Sequence, residues 1–170
     1  MFFGSGRRSA HSRVGPPEES KLKDKLLILV AEDDPSDLAL LERAIVGAGQ
    51  AIDLQVTRDG DEMIGYLQGE REFSNRQAHP LPDIMVLDLK MPRMGGLEVL
   101  QWLRERHEFA LIPKIILSGS SLETDVEAAY RLGANTFFTK PGSFLEFREL
   151  MQDVIRYWSR SLLPVLHQPS

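Results

Sequence analysis

Residues 83–96 read Asp-Ile-Met-Val-Leu-Asp-Leu-Lys-Met-Pro-Arg-Met-Gly-Gly, and this stretch decides the fold. The unbroken apolar run at residues 84–87 is typical of a parallel strand that is covered on both faces. Because Pro92 cannot continue a central strand, the strand must end near Asp88. Parallel α/β sheets build their sites at the carboxyl ends of strands, so Asp88 is a candidate functional carboxylate. Taken alone, Asp88 fits a turn or capping role equally well.

Four more strands are predicted along the chain, each followed by a segment with helical apolar spacing. The predicted strands are residues 26–31, 54–57, 114–117 and 135–139. Short apolar strands that alternate with helices predict a doubly wound parallel sheet with right-handed crossovers. We therefore expect an α/β, flavodoxin-like (βα)5 fold with strand order 2-1-3-4-5.

A run of carboxylates, Glu32-Asp33-Asp34, follows the first strand and precedes Pro35. Pro35 suits the first turn of a helix, and either Asp34 or Asp33 would cap it. Capping leaves the other carboxylates unexplained, and the predicted strand order brings Glu32 and Asp33 opposite Asp88. Carboxylates this close need a cation, and oxygen ligands suit Mg²⁺. The predicted ligands are Glu32, Asp33, Asp88 and the backbone carbonyl of Lys90.

Two further strand ends carry groups that suit an anion. Ser118-Gly119 follows the fourth strand and Lys140-Pro141 follows the fifth, where the proline holds Lys140 extended. A phosphoryl group requires Mg²⁺, a cationic side chain and hydroxyl or amide donors together. We therefore predict Asp88 as the phosphoacceptor, with phosphoryl-binding groups at Ser118, Gly119 and Lys140. The alternative to phosphoryl binding at the serine-rich end of the fourth strand is a structural role, in which Ser121 caps the next helix.

The chain resembles the receiver domain of two-component response regulators over about residues 25–160. The motifs that carry the resemblance are Glu32-Asp33, Asp88 with Met91-Pro92 and Gly95-Gly96, Ser118-Gly119, Phe137, and Lys140-Pro141. The resemblance implies that a sensor histidine kinase donates a phosphoryl group to Asp88. It also implies a switch in which Ser118 moves toward the phosphoryl group and Phe137 rotates inward.

A narrower resemblance is to single-domain regulators that partner bacteriophytochrome kinases. It rests on the long connection at residues 69–82, on Gly142-Ser143 and on Tyr157-Trp158. Two positions depart from the pattern: Lys90 stands where the subgroup usually has Asn, and Phe137 stands where many relatives have Tyr. Lys90 could alter the lifetime of the acyl phosphate, in a direction that the sequence does not give.

Three other functions compete with this interpretation. A Rossmann-type nucleotide binder needs glycines in the first strand-to-helix turn, where this chain has carboxylates that would repel a pyrophosphate. A resemblance to phosphohydrolases that form an aspartyl phosphate would require a second Asp two residues after the nucleophile. This chain has Lys90 at that position. A receiver fold kept only as a binding scaffold is the third alternative, although every predicted site position carries competent chemistry.

Composition sets the remaining expectations. The net charge of −5 gives no indication of nucleic-acid binding, and the absence of cysteine excludes thiolate chemistry. No apolar run suits a membrane span or signal peptide, so we expect a cytoplasmic protein. We expect a disordered tail at residues 1–24, a receiver domain at 25–160 and a tail at 161–170. Because the sequence shows no DNA-binding or catalytic output domain, we expect the protein to signal in a phosphorelay, through contacts with a downstream target or a phosphotransfer protein. We expect a phosphoacceptor that catalyses its own phosphorylation and dephosphorylation and is not a dedicated enzyme.

The end of the chain carries a second apolar cluster. Its members are Trp158, Leu162, Leu163, Val165 and Leu166. The cluster is either a surface for self-association, which would give a homodimer, or a segment that folds back on its own sheet.

Overall fold

The computed structural model of the chain describes residues 25–164 and contains one parallel sheet of five strands in the order β2-β1-β3-β4-β5. The predicted fold is confirmed. The predicted tail at residues 1–24, and Val165 and Leu166 of the C-terminal cluster, lie outside the described residues. The strands are β1 Lys25–Ala31, β2 Ala51–Thr57, β3 Ile84–Leu87, β4 Lys114–Ser118 and β5 Thr136–Thr139. The α-helices are α1 Pro35–Val46, α2 Gly60–Gln68, α3 Gly96–Arg104, α4 Glu123–Arg131 and α5 Phe144–Ser159, with short 3-10 turns at Arg71–Ser74 and His107–Phe109.

The sheet separates two apolar clusters, one on each face. On one face, buried side chains of α2, α3 and α4 pack against alternate strand residues such as Leu29, Met85 and Ile116. On the other face, α1 and α5 cover the strand residues of opposite parity, including Ile28 and Val86. Every residue of β3 and β4 is buried, which agrees with the continuous apolar runs in the sequence.

The register of β1 and β3 decides where the site can form. Val30 pairs with Val86 and Ala31 pairs with Leu87, so the two strands end side by side. Glu32 and Asp88, which follow directly, therefore leave the sheet at the same edge. This edge is the topological switch point, because β2 lies on one side of β1 and β3 on the other.

The structure contradicts one predicted boundary and one of the alternatives. Strand β2 begins at Ala51 and not at Leu54, because its pairing with β1 continues to the first residue of that strand. Helix α4 is not capped by Ser121: its N-cap is Leu122, which makes no side-chain cap. The neighbouring Ser120 bonds into the first turn instead, since its hydroxyl donates to Asp125 Oδ2 and accepts from the Leu122 amide.

The long connection at residues 69–82 is packed against α2. The Arg76 guanidinium donates to the carbonyls of Tyr66 and Leu67 in the last turn of α2, and the Tyr66 carbonyl also accepts the Gly69 amide. The Phe73 and His79 rings pack edge-on with 5.2 Å between centroids, and each also contacts the Tyr66 ring. The segment thus caps a helix and covers one side of the core.

The end of the described chain folds back in part. Trp158 and Leu163 pack against the apolar cluster on the α1 and α5 face, whereas Leu162 is exposed. No helix among residues 25–164 is both long and apolar enough to span a bilayer.

Candidate functional site

Asp88 lies in the first position after β3 and is almost enclosed, with 8% of the residue exposed. Its amide donates to the Ala31 carbonyl at 3.0 Å, which extends the β1–β3 pairing by one residue. Its Oδ1 accepts the Lys90 amide at 3.3 Å, and its Oδ2 accepts from Lys140 Nζ at 2.9 Å. The carboxylate is therefore held in one orientation by the loop behind it and by the lysine beside it.

The two glycines of the predicted motif allow helix α3 to start directly behind Asp88. A Cβ on Gly96 would lie 2.3 Å from the Asp88 carbonyl oxygen, and one on Gly95 would lie 2.6 Å from the Leu89 carbonyl oxygen. The Gly96 amide donates to the Leu89 carbonyl at 3.2 Å. The physical demand for glycine here is close backbone approach, not an unusual φ angle.

Glu32 and Asp33 form the second part of the site, where β1 ends. The Glu32 amide donates to the Thr57 carbonyl at 3.0 Å, and Glu32 Oε1 accepts the Asp34 amide at 3.1 Å. Glu32 is buried, and burial raises the pKa of its carboxyl although the contact with Lys140 works in the opposite direction. Asp33 is exposed.

The helix cap is made by Asp34, one of the two aspartates predicted for it. Its Oδ1 accepts the Ser36 amide at 2.7 Å and the Asp37 amide at 3.4 Å, and Pro35 begins the helix. The Glu32 and Asp33 side chains therefore do not cap α1.

One carboxylate oxygen each from Glu32, Asp33 and Asp88 lies within 4.8 Å of the other two. Three acidic groups at this separation, two of them buried, repel one another unless a cation lies between them. An all-oxygen set with an open, solvent-facing member fits Mg²⁺, which keeps part of its water shell. The fourth predicted ligand, the Lys90 carbonyl, belongs to the loop behind Asp88 and stays a prediction.

Lys140 reaches the same pocket from the end of β5. Its amide donates to the Ser118 carbonyl at 2.8 Å, which fixes the backbone beside β4. Its Nζ lies 2.6 Å from Glu32 Oε2, 2.7 Å from Asp37 Oδ2 and 2.9 Å from Asp88 Oδ2. Burial alone would lower the pKa of Lys140, but hydrogen bonds to Asp37, Glu32 and Asp88 outweigh it and raise the pKa. The side chain is thus a permanent cation at the pocket wall.

Asp37 lies in the candidate pocket, against Lys140, and the sequence analysis did not identify it. It lies in the first turn of α1, where an acidic residue is ordinary compensation for the helix dipole. Its position in the chain could have indicated the contact, because α1 begins at the site edge of the sheet and its first turn faces the end of β5.

Ser118 and Phe137 stand farther along the sheet edge. Ser118 is fully buried at the end of β4, and its Oγ accepts the Ser120 amide at 3.3 Å. Within residues 25–164, no hydrogen bond joins Ser118 Oγ to Asp88 or Lys140. Phe137 is half-buried and packs against the cluster beneath α2, α3 and α4, while its amide donates to the Tyr130 hydroxyl at 3.2 Å.

Gly119 follows Ser118 and is exposed. Apart from its own chain neighbours, no atom of residues 25–164 lies within 4 Å of the position that a Cβ would take there. The open space beside this backbone is what an incoming oxyanion needs, and the assignment of Gly119 to phosphoryl binding stays a prediction.

Known proteins place this arrangement in one family. The family described as "Response regulator receiver domain" matches residues 28–153. Response regulator Rcp1 of Synechocystis sp. is 30% identical over 132 residues, which cover 78% of this chain and 88% of Rcp1.

Solved structures agree with this match. The Mn²⁺-bound form of Rcp1 has a TM-score of 0.75 at 29% identity and covers 82% of this chain and 99% of its own. The phosphorylated cyanobacterial phytochrome response regulator RcpA has a TM-score of 0.77 at 28% identity, with 83% and 99% covered. The bacteriophytochrome response regulator AtBRR has a TM-score of 0.64 at 34% identity, with 86% and 100% covered. The chain therefore belongs to the response regulator receiver domain family.

Proposed function

We propose that this chain is a single-domain response regulator whose Asp88 accepts a phosphoryl group from the phosphohistidine of a sensor kinase. The observation that carries the proposal is the position of the Asp88 carboxylate. It lies between the acidic pair Glu32 and Asp33 on one side and Lys140 Nζ, 2.9 Å away, on the other.

The proposed reaction is an in-line transfer between two nucleophiles. An Asp88 oxygen attacks phosphorus, the new P–O bond forms, and the P–N bond to the kinase imidazole breaks with its electron pair returning to nitrogen. Mg²⁺, when bound by Glu32, Asp33, Asp88 and the Lys90 carbonyl, supplies positive charge for the transferred oxygens. Lys140 neutralises a further oxygen, and Ser118 with the Gly119 amide donates hydrogen bonds to the rest.

The proposed switch uses Ser118 and Phe137. The phosphoryl group adds acceptor oxygens and about −1.5 to −2 charges beside Ser118. Ser118 turns toward these oxygens and vacates space, which the Phe137 ring then fills from its half-buried position on β5. The face formed by α4, β5 and α5 changes with it. Because Phe137 has no hydroxyl, it cannot form a new hydrogen bond on phosphorylation, and the switch relies on the packing of its ring.

Three finer points belong to the same proposal. The kinase is a bacteriophytochrome, because two of the similar structures are response regulators of phytochromes: RcpA of a cyanobacterial phytochrome and AtBRR of a bacteriophytochrome. The protein acts in the cytoplasm, where kinases draw on ATP, and passes its signal by protein contacts without being a dedicated enzyme. Its domain occupies residues 25–160.

A homodimer is also proposed, whose contact lies in the segment that follows Arg160. In the described part of that segment Leu162 is exposed, whereas Leu163 packs against its own domain. A chain truncated after Arg160 should sediment as a monomer at a concentration at which the full chain sediments as a dimer. Unchanged association would refute the role of this segment.

Labelling with a small phosphodonor tests the phosphoacceptor directly. The full chain, incubated with acetyl phosphate and Mg²⁺, should gain the mass of one phosphoryl group, and hydroxylamine should remove it as expected for an acyl phosphate. Asp88→Asn should gain nothing, whereas the matched control Asp34→Asn should label, because Asn also caps helices well. Undiminished labelling of Asp88→Asn would contradict the assignment, and an unlabelled wild type would favour the binding-scaffold alternative.

A further inference from the structure

Asp37 contacts the site but has no part in the metal binding or phosphoryl binding described above. Its Oδ2 lies 2.7 Å from Lys140 Nζ, a contact between residues 103 positions apart in the chain. The same nitrogen contacts Glu32 at 2.6 Å and Asp88 at 2.9 Å. An ammonium has three N–H donors, so the three carboxylates occupy all of them.

Helix capping does not account for this side chain. Asp34 already accepts the amides of Ser36 and Asp37, so the start of α1 is capped without the Asp37 carboxylate. Compensation of the helix dipole requires only a nearby negative charge, not a 2.7 Å bond to the end of another strand.

Asp37 also stands apart from the carboxylates that suit the cation. Among residues 25–164, the group whose oxygens come within 4.8 Å of one another is Glu32, Asp33 and Asp88. The Asp37 side chain is 34% exposed and approaches from the lysine side, whereas that of Glu32 is 7% exposed. Two of the three acceptors of Lys140 are therefore predicted metal ligands, and Asp37 is the one that is not.

We propose that Asp37 is a positioning residue, which holds the Lys140 ammonium partly away from Glu32 and Asp88 and so leaves their oxygens available to Mg²⁺. The inference rests on the proposed function of this pocket. Without the Asp37 charge, the carboxylates that remain hydrogen-bonded to Lys140 Nζ among residues 25–164 are those of Glu32 and Asp88. The ammonium would then compete more strongly with the cation for the same oxygens.

Calorimetric titration with Mg²⁺, in the absence of any phosphodonor, tests the proposal. Asp37→Asn should weaken Mg²⁺ binding by roughly three- to tenfold, as expected for a partly exposed charged hydrogen bond. Asp34→Asn is the matched control, because it removes one negative charge from the start of the same helix and Asp34 has no hydrogen bond to Lys140. Equal affinities for the two variants would overturn the proposal.

A Lys140→Met background separates a positioning role from direct metal ligation. If Asp37 acts through the lysine, adding Asp37→Asn to Lys140→Met should change Mg²⁺ affinity no more than adding Asp34→Asn does. If the Asp37→Asn effect is undiminished in that background, Asp37 acts on the cation itself and the proposal is wrong.

Nitrogen-15 NMR of the lysine ammonium groups gives a second measurement without added metal. Lys140 Nζ hydrogens should exchange with solvent faster in Asp37→Asn than in wild type, because one acceptor has lost its charge, and Asp34→Asn should leave the rate unchanged. An unchanged rate in Asp37→Asn would contradict the positioning role. Neither measurement involves phosphate, so either can fail while Asp88 still labels.

Discussion

Replacing Lys140 by Met should destabilise the metal-free protein far more than an ordinary surface substitution. The Lys140 side chain is 13% exposed and contacts Glu32 and Asp88, whose side chains are 7% and 9% exposed. Removing one partner of a buried ion pair typically costs about 3–5 kcal/mol, because the other charge is left buried without compensation. Since the third partner, Asp37, is 34% exposed, we expect a loss of about 2–4 kcal/mol.

The loss should depend on pH in a defined direction. Burial already raises the pKa of Glu32, and removing the ammonium raises it further. A carboxyl whose folded-state pKa lies above its unfolded value favours folding while protonated, and this contribution is lost as pH rises through the folded-state pKa. The deficit of Lys140→Met should therefore be smaller near about pH 5 than near about pH 8.

Urea unfolding in EDTA measures the effect, with Lys25→Met as the matched control. Lys25 pairs with Asp53 at 3.1 Å, but its side chain is 55% exposed, so its loss should cost at most about 1 kcal/mol. Mg²⁺ at about 100 times its dissociation constant adds about 2.7 kcal/mol to the free energy of unfolding of a protein that binds it only when folded. Lys140→Met in Mg²⁺ should therefore come close to the stability of the wild type in EDTA. Equal free energies of unfolding for the two variants in EDTA would refute the reasoning.

Three further substitutions test other parts of the structure. Gly96→Ala places a Cβ 2.3 Å from the Asp88 carbonyl oxygen, so it should lower the free energy of unfolding by about 1–3 kcal/mol and slow labelling. Gly142→Ala should do neither, because no described atom beyond its chain neighbours lies within 4 Å of the added Cβ; equal urea midpoints for the two variants would contradict this. Arg76→Met removes the hydrogen bonds to the C-terminus of α2 and should speed proteolysis within residues 69–82. Arg131→Met, at an exposed side chain, should not; equal cleavage rates for the two variants would show that Arg76 does not hold the loop in place. Burial raises the pKa of Tyr66 to about 12, so ultraviolet titration should show one late tyrosine that Tyr66→Phe abolishes.

Much of this protein could be predicted from local pattern. Continuous apolar runs at β1, β3 and β4 indicated strands that are buried on both faces, and their alternation with helices led to the strand order 2-1-3-4-5. That order alone brought Glu32 and Asp33 to Asp88, because neighbouring parallel strands end at one edge of a sheet.

Other features needed the tertiary structure. The extent of β2 depended on its pairing with β1, and the start of α4 depended on the Ser120 contact with Asp125, which propensity does not encode. Asp37 has the composition of an ordinary first-turn acid, and only the folded chain brings it 2.7 Å from Lys140. Local sequence determines which residues end a strand, whereas which charges meet there depends on contacts between elements that are remote in the chain.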